Sequence, residues 1–166
     1  LNKTATIGFT TNLSVWREDI VDLLAQFRGV NVGMSVESFS IVNDYVRWPV
    51  CLPTVFENIE RWRSMAKQHS WLLQFRTTPT CLTMHKLLPI YDYARDHGII
   101  VESCNFLYQP EVLKPSVLPT SYRQKVIVDM KNWIGNHYSE SETIVNIRNP
   151  DTVHAQLVQD LTSYVN

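Results

Sequence analysis

Residues 30–38 read Val30-Asn31-Val32-Gly33-Met34-Ser35-Val36-Glu37-Ser38, an apolar strand that turns polar at its end. Arg47 follows Ser35 by twelve residues, in the segment Tyr45-Val46-Arg47-Trp48-Pro49. This pattern brings a hydroxyl, a carboxylate (Glu37) and a guanidinium together where a buried parallel strand ends, and that is where α/β folds bind ligands. The segment therefore predicts both the fold class and the place of a ligand site.

The same succession of apolar strand, polar strand end and amphipathic helix repeats on both sides of this segment. Four strands are predicted, at Ala5–Asn12, Val30–Glu37, Trp71–Thr78 and Ile99–Leu107. Helical periodicity predicts helices at Leu13–Phe27 (with Ser14 as N-cap), Thr54–Gln68, Thr83–His97, Ser121–His137 and Asp151–Tyr164. Two proline-containing stretches without periodicity, Phe39–Pro53 and Gln109–Pro119, are predicted to be irregular.

This alternation predicts an α/β fold, because parallel strands joined by helices need crossovers that cover the sheet. Four strands cannot close an eight-stranded barrel. We therefore expect a partial (β/α) TIM-type barrel with about four parallel strands, flanking helices and extra C-terminal helices, and the alternative is a small open α/β domain. Residues 1–137 are predicted to form the partial barrel, and residues 138–166 a helical extension packed on the same domain. Because the chain begins at Leu1 and enters a strand almost at once, we expect it to be a fragment of a larger barrel.

Composition narrows the function classes. The chain has 166 residues, of which 45% are hydrophobic and 19% charged, as in a globular protein. A net charge of −1 with interspersed signs predicts no nucleic-acid binding. No run approaches the ~18 apolar residues of a membrane span, so we expect no membrane association and a cytoplasmic location. The spacing of Cys51, Cys81 and Cys104 matches no metal motif and predicts no metal site.

Several short motifs follow one another along the chain. They are Thr10-Thr11-Asn12, Met34-Ser35-Val36-Glu37-Ser38, Tyr45-Val46-Arg47-Trp48-Pro49, Asn58-Ile59-Glu60-Arg61, Tyr91-Asp92-Tyr93-Ala94-Arg95-Asp96-His97-Gly98-Ile99 and Asn105-Phe106-Leu107. Their order and spacing resemble the middle of a radical S-adenosylmethionine (SAM) enzyme core, most of all the branch with twitch or SPASM-type C-terminal extensions. In that branch the third strand typically ends in Thr-Asn-Gly and the fourth reads Ser-hydrophobic-Asp-Gly, with an Arg-containing segment about a dozen residues later. The resemblance covers roughly residues 4–135.

The resemblance implies a SAM site at the strand ends. Ser35 would hydrogen-bond the amino-acid portion of SAM, and Arg47 would pair with its carboxylate, a task that suits the planar donor fork of arginine. Glu37, where the family more often has Asp, would accept hydrogen bonds from the ribose hydroxyls or the amino group. The alternative from the residues alone is that Glu37 and Arg47 form an ion pair that positions the loop, and that Ser35 satisfies a backbone group.

The same resemblance implies that Thr11 and Asn12 line the pocket from the neighbouring strand and that the chain near Leu107 contacts the adenine. Asn12 is alternatively a turn residue before Ser14. Trp48, between Arg47 and Pro49, is a candidate for stacking over a ligand, whereas the other four tryptophans are expected in the core.

The family's cluster loop is absent. Radical SAM enzymes hold a [4Fe–4S] cluster on a CxxxCxxC motif after the first strand, and this chain has neither that motif nor the first two strands. Ser38 also stands where the family has glycine. The resemblance therefore implies a cluster only in a complete protein, which would cleave SAM reductively to generate a radical on a small-molecule or peptide substrate, and we expect this chain alone to be inactive.

Two other functions are compatible with the same residues. One is a non-radical (β/α) barrel enzyme of the aldolase or isomerase kind, with Glu37 as the base. The other is a non-catalytic α/β domain that binds a ligand or a partner. An incomplete barrel exposes the edges of its outer strands, and such edges favour pairing, so a homodimer through these edges is a further expectation.

Overall fold

We describe a computed structural model of the chain that covers residues 4–103, 107 and 109–137, with only the backbone of residues 102 and 103. Within these residues, four strands alternate with helices. The strands are β1 (Thr6–Thr11), β2 (Gly29–Ser35), β3 (Leu72–Thr77) and β4 (Ile100–Ser103). The α-helices are α1 (Glu18–Leu24), α2 (Ile41–Val46), α3 (Leu52–His69), α4 (Leu88–His97) and α5 (Thr120–His137). Short 3-10 turns lie at Met84–Lys86, Glu111–Leu113 and Pro115–Val117.

The four strands form one all-parallel sheet in the order β1-β2-β3-β4, so each strand pairs with its neighbour in sequence. Thr11 lies beside Met34, and Ser35 lies beside Arg76, which aligns the carboxyl ends of the first three strands. The prediction of an α/β fold with about four parallel strands and flanking helices is confirmed.

The two faces of the sheet differ in character. One face carries the core, formed by the alternate side chains of the strands: Val30, Val32, Met34, Leu73, Phe75 and Val101, all at most 7% exposed. Helices α3 and α4 pack on this face, as shown by ring contacts from Phe9 to Trp62 and from Phe75 to Tyr93. Helix α5 lies against α4, where Trp133 packs near Tyr91 and donates a 2.7 Å hydrogen bond to Asp92.

The opposite face is mostly polar, with Leu72 and Ile100 as apolar members, and the described helices do not bury it. Its side chains include exposed Thr6 and Thr10 on β1 and half-buried Asn31, Gln74 and Arg76 on the next two strands. Arg76 lies across Gly33 and donates a 2.9 Å hydrogen bond to Thr10 Oγ1. A Cβ on Gly33 would come within 2.8 Å of Arg76 Nε, so this glycine permits the guanidinium to lie flat on the sheet.

The predicted start of the first helix, at Leu13, is wrong. Leu13 is fully buried with φ 62, and Ser14 bonds to Asn12 instead of capping a helix. Helix α1 therefore begins only at Glu18. The helix was predicted too long because the buried loop residue Leu13 fits the apolar spacing of the short helix that follows it.

Two further predictions need correction. The stretch Phe39–Pro53 is not irregular throughout, because Ser40 accepts from Val42 N and begins α2. The helix predicted over Thr83–His97 divides into a 3-10 turn and α4, which has Pro89 in its first turn. The stretch Gln109–Pro119 contains no long element in its described part, as predicted, but forms two 3-10 turns.

The remaining elements lie close to their predicted bounds: β1 and β3 fall within the predicted strands, β2 begins one residue before its predicted start, and α3 and α5 exceed the predicted helices by at most two residues at each end. The distal part of the fourth strand, at 104–106, the proposed extension 138–166 and its helix Asp151–Tyr164 lie outside the described residues. Among the described helices, none is both long enough and apolar enough to cross a membrane.

Candidate functional site

A cavity of about 760 Å³ lies at the carboxyl ends of the strands. Each strand contributes a residue that follows it: Asn12 after β1, Glu37 after β2, Thr78 after β3 and Leu107 after β4. The other lining residues come from α2 and the loops: Tyr45, Val46, Arg47, Trp48, Val50, Thr80, Leu82 and Leu113. The cavity thus brings together four of the predicted site residues, Asn12, Glu37, Arg47 and Leu107.

Glu37 occupies the centre of the polar wall. Its side chain is only 7% exposed, and Oε1 accepts a 2.5 Å hydrogen bond from Arg47 Nη2. Oε2 accepts a 2.6 Å hydrogen bond from the backbone N–H of Thr78. The carboxylate therefore joins the end of β2 to the end of β3 and to the residue that follows α2.

Arg47 is placed by the short helix α2. Ser40 caps the helix, and Arg47 ends it by donating its N–H to the carbonyl of Asn43. Fully buried Asn43 in turn accepts a 3.0 Å hydrogen bond from the N–H of Glu37 through Oδ1. Two hydrogen bonds thus hold Glu37 against α2, and one of them is the ion pair with Arg47.

Asn12 and Thr11 build the turn that follows β1. Thr11 Oγ1 accepts from the N–H of Leu13, and Asn12 Oδ1 accepts from both the N–H and the hydroxyl of Ser14. Buried Asn58 on α3 donates a 2.9 Å hydrogen bond to the carbonyl of Leu13. Asn12 therefore combines the turn role with a place in the cavity wall, whereas Thr11 does not line the cavity.

Ser35, the last residue of β2, also lies away from the cavity lining, beside Arg76 on the polar face of the sheet. Trp48 lines the cavity and is 83% exposed, as expected for a ring available to a ligand. The other tryptophans at 62, 71 and 133 are buried, and Trp16 packs against the core.

The sequence did not predict three residues that shape this site, nor the lining residues Val46, Val50, Thr80, Leu82 and Leu113. Tyr45 lines the cavity, Asn43 holds the backbone of Glu37, and Thr78 donates its N–H to the Glu37 carboxylate. Only the position of Thr78 at a predicted strand end gave a signal for it. A backbone donor and a buried amide in a short helix leave no pattern in the sequence.

Several buried polar atoms around this wall have no hydrogen-bond partner in the described part of the chain. They are Arg47 Nε, Asn43 Nδ2, Asp44 Oδ1 and Thr77 Oγ1. A buried polar atom is normally hydrogen-bonded, and exceptions often mark a place for water or a ligand. The described groups of the protein therefore leave four buried donors and acceptors near the carboxyl-end wall unsatisfied.

No group of three or more His, Cys, Asp or Glu that could hold a metal ion exists among residues 4–103, 107 and 109–137. Exposed Cys51 shares a 3.1 Å hydrogen bond with the Thr54 hydroxyl, which lowers the pKa of the thiol. Cys81 bonds to the carbonyl of Val112, and Cys104 lies outside the described residues. The described thiols therefore do not fit the ligand set of a [4Fe–4S] cluster, which needs thiolates close together.

A second polar cluster lies on α3 and α4 beside a cleft of about 510 Å³ at the amino ends of β3 and β4. Tyr93 donates its hydroxyl to Glu60 Oε1, and Arg63 bonds both Glu60 Oε2 and His97 Nδ1. Burial and the bond to Glu60 raise the pKa of Tyr93 to about 12. The Tyr93 hydroxyl and Arg63 lower the pKa of Glu60.

No protein-family model matches this chain, and no curated protein and no solved structure is significantly similar to it.

Proposed function

We propose that this chain is part of a radical SAM enzyme core and that the cavity at the carboxyl ends of the strands is a SAM site. One observation carries the proposal: residues following four different parallel strands, together with Arg47, converge on a single cavity. Four of these residues are those to which the motif resemblance gave SAM contacts. The carboxyl ends of parallel strands are also the usual ligand face of barrels and open α/β sheets.

The chemistry of the walls supports a zwitterionic nucleoside ligand. On one side, Arg47 lines the cavity with a side chain that is 23% exposed, and a carboxylate is the natural acceptor of a guanidinium. On the other side, Leu82, Leu107 and Leu113 provide an apolar wall suited to an adenine ring. The volume of about 760 Å³ falls within the ~300–1,000 Å³ of small-molecule sites.

The proposed fold of the whole is an arc of a (β/α) TIM-type barrel. The sequential order β1-β2-β3-β4 supports it, because right-handed crossovers between sequence neighbours place successive helices on the same side of a sheet. The polar, uncovered opposite face would then face the barrel interior. In a doubly wound fold, both faces of the sheet would be covered and apolar.

The proposal gives this chain a SAM-binding role without radical chemistry of its own. A [4Fe–4S] cluster would supply the electron that cleaves SAM, and the described thiols of this chain do not provide its ligands. The residues named above bind and orient, and no catalytic residue is assigned to them.

A non-radical barrel enzyme with Glu37 as base is less well supported. Both oxygens of the carboxylate already accept hydrogen bonds, one of them from a cation. A general base must reach the proton that it removes, and the Glu37 side chain is only 7% exposed with both oxygens bonded to the protein.

A partner-binding domain is the second candidate, because an apolar stripe borders the cavity. Ile41, Tyr45 and Trp48 follow at helical spacing along α2 and the next turn, and they are 75%, 77% and 83% exposed. Large apolar side chains grouped in this way often mark an interaction surface. The homodimer proposed through the strand edges belongs to this alternative.

Isothermal titration of SAM and S-adenosylhomocysteine against the folded chain tests the first proposal. We expect Arg47→Ala to weaken SAM binding by about 10- to 100-fold, because a hydrogen bond to a charged group contributes about 1.5–3 kcal/mol. Arg61→Ala is the matched control, since Arg61 forms an exposed ion pair with Glu57 on α3.

Two outcomes would contradict the proposal. Equal affinity of the Arg47→Ala variant and the unaltered protein would remove Arg47 from the site. Absence of binding by a chain with a folded circular dichroism spectrum would refute a SAM site here and favour the partner-binding alternative.

A further inference from the structure

We propose that Glu37 is a positioning residue that orients Arg47 for the carboxylate of the ligand and does not itself contact the ribose or the amino group. This inference rests on the proposed function, because it concerns the same cavity. It changes the role that the motif resemblance gave to Glu37.

Both oxygens of the Glu37 carboxylate already accept hydrogen bonds from the protein. Oε1 accepts from Arg47 at 2.5 Å and Oε2 accepts from the N–H of Thr78 at 2.6 Å. With a side chain 7% exposed, the carboxylate offers little surface to a ligand in the cavity. A ribose hydroxyl would have to compete with a cation and a backbone donor for these oxygens.

The bond to Glu37 also orients the guanidinium of Arg47. Because this group is planar, a short bond at Nη2 fixes the plane in which the other N–H groups point. Arg47 Nε has no partner in the described part of the chain, although it is buried, and the Arg47 side chain as a whole is 23% exposed. Glu37 therefore holds one corner of the fork, while the partly exposed Arg47 side chain still lines the cavity, where an anion can reach it.

Glu37 also tethers the end of helix α2, where Arg47 lies. Arg47 follows α2, a helix of only six residues whose outer side chains Ile41 and Tyr45 are exposed. Buried Asn43 holds the middle of this helix through the N–H of Glu37, and the ion pair with Glu37 holds the residue at its end. Glu37 ties this end to the sheet, since its other oxygen is bonded to the backbone immediately after β3.

Double-mutant titration with two ligands tests this role. SAM carries the amino-acid carboxylate, and 5′-methylthioadenosine keeps the adenine and ribose but lacks the amino-acid group. The variants are Glu37→Gln, Arg47→Ala and the double variant, with Glu57→Gln of the exposed Glu57–Arg61 pair as the matched control. Gln keeps the shape of the side chain and an acceptor for Thr78, but loses the charge that holds Arg47.

We expect Glu37→Gln and Arg47→Ala each to weaken SAM binding at least tenfold, and each to change methylthioadenosine binding by less than about twofold. The double variant should bind SAM no more weakly than Arg47→Ala, because residues that act through one another are not additive. Additive losses, or an equal loss for methylthioadenosine, would show a direct contact of Glu37 with the ligand. Either result would overturn the positioning role of Glu37 and leave the proposed SAM site standing. A wild-type chain that binds neither ligand refutes the proposed function, and the positioning role falls with it.

A readout without ligand tests the tether itself. The Arg47 Nε–H resonance, assigned by its loss in Arg47→Lys, should be sharp and slow to exchange in the wild-type chain and in Glu57→Gln. It should broaden in Glu37→Gln while the other amide resonances keep their dispersion. An unchanged Arg47 resonance in Glu37→Gln overturns the proposal.

Discussion

The chain places a glutamate–arginine pair at each end of its sheet, and the two pairs differ in what surrounds them. At the carboxyl ends, Glu37 and Arg47 are 7% and 23% exposed, and buried polar atoms nearby have no partner in the described residues. At the amino ends, Glu60 and Arg63 are 55% and 29% exposed and bond to Tyr93 and His97. Both pairs have the same 2.5 Å separation between nitrogen and oxygen.

The difference is the one expected between a structural network and the proposed ligand site. The amino-end cluster is a closed network that joins α3 to α4, and its pKa shifts follow from bonds within the protein. The carboxyl-end cluster consists of Glu37, Arg47, Asn43 and Thr78, and it links β2, α2 and the end of β3. Buried donors and acceptors beside it have no partner in the described residues. Barrels make the same division between a stability face and a ligand face, so an identical ion-pair distance says little about function without its neighbours.

The largest predicted effect tests whether burial separates the two pairs. Glu37→Ala leaves Arg47 and the Thr78 N–H without their acceptor, and we expect the free energy of unfolding to fall by about 3 kcal/mol, as when a buried pair is broken. Glu60→Ala should cost about 1–2 kcal/mol, because it removes a more exposed ion pair and the hydrogen bond from Tyr93. Urea denaturation of both variants measures the difference, and equal losses would remove this distinction between the two ends.

The second prediction concerns the polar face near the carboxyl ends. Gly33→Ala places a Cβ within 3.0 Å of Arg76 and Thr10 and should lower the free energy of unfolding by about 1–2 kcal/mol, within the usual cost of overpacking. Gly8→Ala is the matched control, because Gly8 lies on β1 on the same face of the sheet and a Cβ there would be 3.9 Å from its nearest neighbour. If denaturation gives equal losses for both glycines, Arg76 is not packed on this face as described.

The third prediction asks how much the closed network contributes. Tyr93→Phe removes the hydroxyl that bonds Glu60 and should cost about 1 kcal/mol in the free energy of unfolding, as for one hydrogen bond. Affinity for SAM should not change, since no residue of the cluster lines the carboxyl-end cavity. A SAM affinity that falls with Tyr93→Phe would show that the two ends are coupled.

The smallest effect is a pH dependence. The pKa of Tyr93 is raised to about 12 in the folded protein, so its contribution to stability is complete below about pH 10, its unfolded value, and is lost as the pH rises to about 12. The pKa of Glu60 is lowered, so its contribution is present above about pH 4 and is lost at lower pH.

The difference in Tm between the wild-type chain and Tyr93→Phe isolates the alkaline effect from other titrating groups. This difference should shrink between about pH 10 and 12. A constant difference across that range would contradict the network geometry at the amino ends.

The sequence predicted the sheet well because its strands are apolar runs that end in polar residues. Val30, Val32 and Met34 alternate with Asn31 and Gly33, and the structure buries the first set. Helix α3 has the long apolar stripe that periodicity detects, with Val55, Ile59 and Trp62 buried.

The errors arose where local hydrogen bonds decide the backbone. Leu13 takes a left-handed conformation because Thr11, Asn12 and Asn58 satisfy the backbone around it, and no periodicity reveals this. Helix α2 has six residues, too few for a hydrophobic pattern. For the site, strand-end polarity predicted Glu37, while its acceptance of the Thr78 N–H depends on how β2 and β3 meet in space.

The sequential strand order also bears on how the chain acquires its fold during synthesis. Each strand pairs with the strand made just before it, and the intervening helix covers the new pair, so every step closes a loop of moderate length. None of these four described strands has to wait for a distant segment to be translated before it can be inserted between two others. The sheet can therefore grow from one side as the nascent chain leaves the ribosome, one strand and one helix at a time.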